Sequence, residues 1–138
     1  MKRARFLTDG KTLRGSAQDG ALVAEDGRAF AEEAVTWLPP LTPGTIIGLA
    51  LNYRDHAAEL GIALPETPVL FIKALSTLVG HRQQVVAPAN VQYMHYEAEL
   101  GVVIGRPGRR IAPEEAMNHV GGYTIVNDVT VRDFVTNM

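Results

Sequence analysis

The sequence contains no cysteine, which excludes disulfides, thiolate metal sites and cysteine nucleophiles and suits a reducing cytoplasm. Charge of one sign is also lacking: 13 Lys and Arg against 15 Asp and Glu leave a formal net charge of −2. That balance gives no electrostatic pull toward nucleic acid or an anionic membrane, so neither is expected as a partner. No uninterrupted apolar run is long enough to span a bilayer, and the basic residues 1–6 lack the apolar segment of a signal peptide. A phosphate-binding loop, a Gly-x-Ser-x-Gly elbow and a dinucleotide fingerprint are all missing, which argues against nucleotide and serine-hydrolase chemistry. Internal repeats and low-complexity segments are missing too. What remains is a chain of 138 residues, 46% hydrophobic and 20% charged, the profile of a soluble, cytoplasmic globular protein with material for one core.

Residues 1–40 read as short strands separated by turns. Arg5-Phe6-Leu7 runs to Asp9-Gly10, Ala21-Leu22-Val23-Ala24 runs to Asp26-Gly27, and Val35-Thr36-Trp37-Leu38 stops at Pro39-Pro40. These pieces suit a small β-rich unit in which Trp37 belongs to the core. The apolar run Thr45-Ile46-Ile47-Gly48-Leu49-Ala50-Leu51 has the length of a buried strand. It leads into a helix that Asn52 can cap, with Asp55 in its first turn and Gly61 as its left-handed terminator. His56 and Glu59 then lie three apart on one face. They are either a base with its orienting partner or a surface ion pair. Pro65 and Pro68 enforce an extended connection to a short buried strand, Val69-Leu70-Phe71-Ile72-Lys73. Lys73 could meet a substrate carboxylate or simply extend to water. Val85-Val86-Ala87-Pro88 reads as a brief edge run.

The stretch Tyr93-Met94-His95-Tyr96-Glu97-Ala98-Glu99-Leu100-Gly101-Val102-Val103-Ile104-Gly105 has strand chemistry throughout. Alternation puts His95, Glu97 and Glu99 on one face and Tyr96, Ala98, Leu100, Val102 and Ile104 on a core face. Carboxylate-bearing positions about 6.5–7 Å apart at Cα suit either a solvated face or a Mg²⁺- or Mn²⁺-type hard-cation site. Beyond the Arg106-Pro107-Gly108 turn, residues 113–120 read as a short helix with proline and acids at its start. His119 near its end is given a structural role. A last clear strand covers 123–128. A lone charge at its end would be costly, which makes Asp128 a candidate third carboxylate.

Taken together, Gly48-Leu49-Ala50-Leu51-Asn52-Tyr53-x-x-His56-x-x-Glu59, Phe71-Ile72-Lys73, Tyr96-Glu97-Ala98-Glu99-Leu100 and Gly122-Tyr123-Thr124-x-x-Asn127-Asp128-x-x-x-Arg132-Asp133 resemble the fumarylacetoacetate hydrolase family in order and spacing. The segment Tyr93-Met94-His95-Tyr96-Glu97-Ala98-Glu99-Leu100 with Ala116-Met117 is most similar to its homoprotocatechuate-pathway branch. The resemblance implies an α+β, mainly β chain: a small β-rich N-terminal domain at 1–42, then at 43–138 the first half of a mixed β-roll catalytic domain. It implies Mg²⁺ or Mn²⁺ (or Ca²⁺ in its place) on Glu97, Glu99 and Asp128. His56 and Glu59 are then the catalytic pair, and Asn52, Tyr53, Lys73 and Arg132 the substrate-binding candidates. A homodimer is implied as well. Family domains run roughly another hundred residues past the aspartate, within ordinary domain sizes, so the chain is expected to be the N-terminal part of a longer protein.

The activity that the resemblance implies is isomerisation or decarboxylation of an open-chain 2-hydroxy-dienoate or 2-oxo diacid, through an enolate stabilised by the cation. Acylpyruvate hydrolysis and oxaloacetate decarboxylation on the same scaffold are the neighbouring readings. Val135 stands where hydrolase relatives carry glutamine, which weighs against the first of these. A non-catalytic, truncated metal-binding fragment is the reading outside enzymes.

Overall fold

The computed structural model describes residues 2–135. Met1 and residues 136–138, which belong to the two expected segments, lie outside the described residues. The chain divides into two compact units, with the boundary in sequence between Val85 and Val86. All the strand pairings within them are antiparallel.

The first unit opens with β1 (Arg3–Thr8), β2 (Lys11–Gln18), β3 (Ala21–Ala24), β4 (Ala29–Ala31) and β5 (Thr36–Leu38). They form a sheet in the order β4-β3-β2-β1-β5. Two hairpins carry it. Asp9 and Gly10 have φ of 47° and 69°, Asp19 and Gly20 of 47° and 81°, and two consecutive left-handed residues are what a type I′ turn requires. The sequence reading found three of these strands and missed β2 and β4. The segment β2, Lys-Thr-Leu-Arg-Gly-Ser-Ala-Gln, has one β-branched residue and no aromatic, so its own propensity is weak. Pairing with β1 on one side and β3 on the other makes it a strand. At Gly15 a Cβ would collide with the Val23 carbonyl of β3; only glycine allows that approach.

Phe6 and Leu22 are fully buried, with Ala4 and Ala24 beside them and Leu13, Ala17, Phe30, Val35 and Trp37 packed around. Phe6 meets Phe30 edge to face, ring centroids 5.5 Å apart, the arrangement that the ring quadrupoles favour. Burying side chains of the size of Phe6 and Leu22 stabilises by about 1.5–3 kcal/mol each. Trp37 takes its expected place against this core. At the third turn Arg28 donates from Nε and Nη2 to Asp26 Oδ2, at 2.9 and 2.7 Å. Those side-chain hydrogen bonds hold the Asp26 carboxyl below its ordinary range.

The same unit continues with β6 (Ile46–Ala50), α1 (Arg54–Glu59) and β7 (Val69–Lys73). The register pairs Ile47 with Ile72 and Leu49 with Leu70, so these four share a face. It is an exposed face: Ile72 is 76% accessible. The expectation of two fully buried strands is therefore corrected. A two-stranded ladder has two faces, and an apolar run does not say whether both are covered. The helix also starts one residue later than expected. Tyr53, not Asn52, is the N-cap, and it makes no side-chain cap bond. Leu51 at φ 55° sets the turn that delays it. Gly61 terminates it as expected, with φ 65°. Its N–H donates to Ala58 (3.1 Å) and that of Ile62 to Ala57 (3.0 Å), the Schellman pattern.

The second unit holds β8 (Met94–His95), β9 (Ala98–Ile104), β10 (Val120–Asn127) and β11 (Thr130–Val131). The β9–β10 and β8–β11 pairs are separate ladders. Residues 85–87 are not a strand, contrary to the edge-run reading; Pro88, which has no N–H of its own, cannot extend a ladder beyond them. The short helix expected at 113–120 is a 3₁₀ helix over Pro113–His119. The Asn118 Nδ2 to Glu115 Oε2 bond, 2.6 Å across an i,i+3 step, matches the three-residue 3₁₀ turn. His119 Nδ1 lies 3.0 Å from the Arg106 carbonyl oxygen, while the N–H groups of Gly105 and Arg106 donate to the His119 carbonyl. His119 thus has its expected structural role.

Candidate active site

The β9–β10 register pairs Val126 with Glu99 and Asn127 with Ala98. One step further, the Asp128 N–H donates to the Glu97 carbonyl at 2.8 Å, so the ladder sets Asp128 opposite Glu97. Side chains alternate along both strands, which gives Glu97, Glu99 and Asp128 one common face. That face is half-buried at all three acids. Arg132 belongs to the same group: its Nη1 stands 3.8 Å from Glu97 Oε1, with the two side chains 27% and 29% exposed. Asp128 and Arg132 therefore approach Glu97, and Glu99 shares its face.

Their order along the chain differs from the expected continuous strand. Between His95 and Ala98 the chain exchanges its partner, β11 for β10, so His95 is not in line with the acids. Its Nε2 lies 2.8 Å from the Tyr93 hydroxyl. The exchange is made by side chains that take backbone donors. Asn127 Oδ1 accepts the Glu97 N–H at 3.0 Å, and Asp133 Oδ2 accepts those of Gln92 and Tyr93 at 3.0 and 2.8 Å. The Arg132 N–H donates to the Tyr93 carbonyl at 2.9 Å. Asn127 and Asp133 stand beside Asp128 and Arg132 in the sequence, and that polar adjacency is the signal for their part in the site.

The opposite face of β9 and β10 corrects a second expectation. Leu100, Val102, Ile104, Tyr123 and Ile125 form it, and they are exposed rather than core, Leu100 at 60% and Ile125 at 89%. Alternation identifies a face; which face is covered depends on other elements.

In the first unit, α1 brings His56 and Glu59 together, Nδ1 to Oε2 at 3.6 Å, both side chains exposed. Asn52 and Tyr53 are exposed just before this helix, and Lys73 is half-buried at the end of β7, opposite Ile46.

Among the described residues no group of three or more His, Asp or Glu side chains is gathered tightly enough to hold a metal ion. Like charges on one face repel, and Arg132 draws on Glu97. The donor set itself is three carboxylates on adjacent antiparallel strands, the oxygen chemistry that a hard divalent cation takes. In donor type, though not in spacing, Glu97, Glu99 and Asp128 suit a hard divalent cation.

Residues 45–138 match the family model described as Fumarylacetoacetate (FAA) hydrolase C-terminal. The chain belongs to the fumarylacetoacetate hydrolase family, and its mainly β architecture with short helices is the expected class. Over 135 residues it is 46% identical to the 4-hydroxyphenylacetate degradation bifunctional isomerase/decarboxylase of Salmonella dublin, covering 98% of this chain and 30% of that protein. Over 89 residues it is 45% identical to a mitochondrial oxaloacetate tautomerase of Caenorhabditis elegans, covering 64% and 42%. The solved 5-carboxymethyl-2-hydroxymuconate delta-isomerase of Mycobacterium smegmatis superposes with a TM-score of 0.80 at 32% identity, covering 96% of this chain and 56% of that one. The chain thus spans 30% to 56% of the length of these three proteins. No helix among the described residues is long and apolar enough to cross a membrane.

Proposed function

We propose that the protein is a Mg²⁺- or Mn²⁺-dependent isomerase or decarboxylase of open-chain 2-hydroxy-dienoate or 2-oxo diacids, working in the breakdown of aromatic compounds. The observation that carries this reading is the pairing of Asp128 with Glu97 on the face that also bears Glu99. The name of the Salmonella dublin relative supports the reaction class, and that of the Mycobacterium smegmatis isomerase supports an open-chain unsaturated diacid. Glu97, Glu99 and Asp128 would hold the cation. When bound, it would supply Lewis-acid polarisation of a substrate oxygen.

The remaining chemistry belongs to side chains. His56 is the proton carrier, and Glu59, 3.6 Å from Nδ1, is its carboxylate partner. Arg132 is a carboxylate partner by type, able to release Glu97 and bind a substrate carboxylate in fork geometry. Lys73 offers a second positive charge, and Asn52 and Tyr53 offer exposed hydrogen-bonding groups. The proposed domain boundary follows residue 42, near the Pro39-Pro40 break and just before the family match begins at 45. A cytoplasmic homodimer completes the reading, supported by the absence of cysteine and by the family resemblance.

A second reading has its own support. The similarity to an oxaloacetate tautomerase favours a shorter 2-oxo diacid on the same carboxylate face. Assays of 2-hydroxyhepta-2,4-diene-1,7-dioate against oxaloacetate separate the two. In either case a chelator is expected to abolish turnover, Mg²⁺ or Mn²⁺ to restore it, and Glu97→Gln to remove metal-dependent turnover at unchanged thermal stability. Full activity in Glu97→Gln overturns the assignment.

A further inference from the structure

We infer that Asn127 is a positioning residue that aims the Glu97 carboxylate, an inference that rests on the proposed metal site and extends it. Inside a ladder the facing strand supplies partners for the backbone N–H and C=O groups and so sets their direction. Glu97 falls where β8 has ended and β9 has not begun, so regular pairing does not hold its N–H. The Asn127 side-chain oxygen takes that N–H at 3.0 Å. The Glu97 carbonyl is taken by the N–H of the next residue, Asp128, at 2.8 Å.

One dipeptide, Asn127-Asp128, therefore grips both sides of the Glu97 Cα. Fixing both flanking peptide planes fixes φ and ψ, and with them the direction of the Cα–Cβ bond. Asp128 is itself one of the three carboxylates, so the clamp also ties the spacing of two of them to a single short segment. Without the Asn127 oxygen, the Glu97 N–H loses its partner. The peptide can then rotate, and the carboxylate swings away from the direction shared with Asp128. Groups that hold a ligand's orientation by bonding its side chain are typically worth about 10–100-fold in metal binding, and Asn127 acts on orientation through the backbone instead.

The test uses Asn127→Ala, Asn127→Leu, which has nearly the shape of asparagine without an acceptor, and Asn127→Asp, which keeps an oxygen at the same reach. Two measurements avoid turnover: amide hydrogen exchange at Glu97, and Mn²⁺ binding followed by electron paramagnetic resonance. The expected result is faster Glu97 exchange in the Ala and Leu variants with Mn²⁺ affinity lower by about 10–100-fold, and recovery of both by Asp. Glu99→Gln should weaken Mn²⁺ while leaving Glu97 exchange unchanged. Faster exchange with parental Mn²⁺ affinity overturns the positioning role and leaves the metal site standing. A parent protein that binds no Mn²⁺ overturns the metal site and this inference with it. If Ala does not fold, Leu and Asp give the same decision.

Discussion

At the scale of residues, the His56–Glu59 pair separates stability from chemistry. Its groups are exposed and 3.6 Å apart, and such surface pairs are worth about 0–1 kcal/mol. Glu59→Gln should therefore leave thermal unfolding nearly unchanged, within about 0.5 kcal/mol. His56→Asn is expected to lower kcat by about 10²–10⁴-fold, the range of general acid–base contributions. Steady-state kinetics beside a thermal melt reads both, and an unchanged kcat would reduce the pair to a surface contact. The spacing of His56 and Glu59 was legible because an i,i+3 pair is a local property of one helix. The 3.8 Å approach of Arg132 to Glu97 was not, since it links residues from different elements.

At the scale of elements, glycines were the best guides and caps the poorest. Gly61 is legible as a terminator, and the two bonds of its Schellman motif bear this out. Gly61→Ala forces a Cβ into φ 65°, which costs about 1 kcal/mol. The expected outcome is faster amide exchange at Gly61's neighbour Ile62 and in the last turn of α1, with the exchange of β1–β5 unaffected. The cap went the other way: Asn52 has the right chemistry, but the left-handed Leu51 rotates the chain so that helical geometry begins only after Tyr53. The break between β8 and β9 was illegible for a different reason. Its sequence is uniformly strand-like, and the residue that redirects Glu97 sits 30 positions away.

At the scale of the whole molecule, two ladders carry open apolar faces: Ile47, Leu49, Leu70 and Ile72 on one, Leu100, Val102, Ile104, Tyr123 and Ile125 on the other. Contiguous apolar surface of this kind is what hydrophobic dyes and partner surfaces bind. The 138-residue chain is therefore expected to enhance the fluorescence of an anilinonaphthalene sulfonate dye. Leu100→Ser combined with Ile125→Ser should cut that signal without changing the far-ultraviolet circular dichroism. An equal signal in the double variant would place the dye elsewhere.

What the amino-acid order determined by itself is local. The Asp9-Gly10 turn, the stop at Gly61, the alternation that puts Glu97 and Glu99 on one side and the pairing of His56 with Glu59 all follow from preferences spanning a few residues. Tertiary structure decided that Asp128 faces Glu97, that Asn127 and Asp133 take the backbone donors where the ladders change, and that the apolar sides of β6–β7 and β9–β10 stay open. These depend on register between distant segments, and a pleated strand presents the same alternating pattern whichever partner it meets.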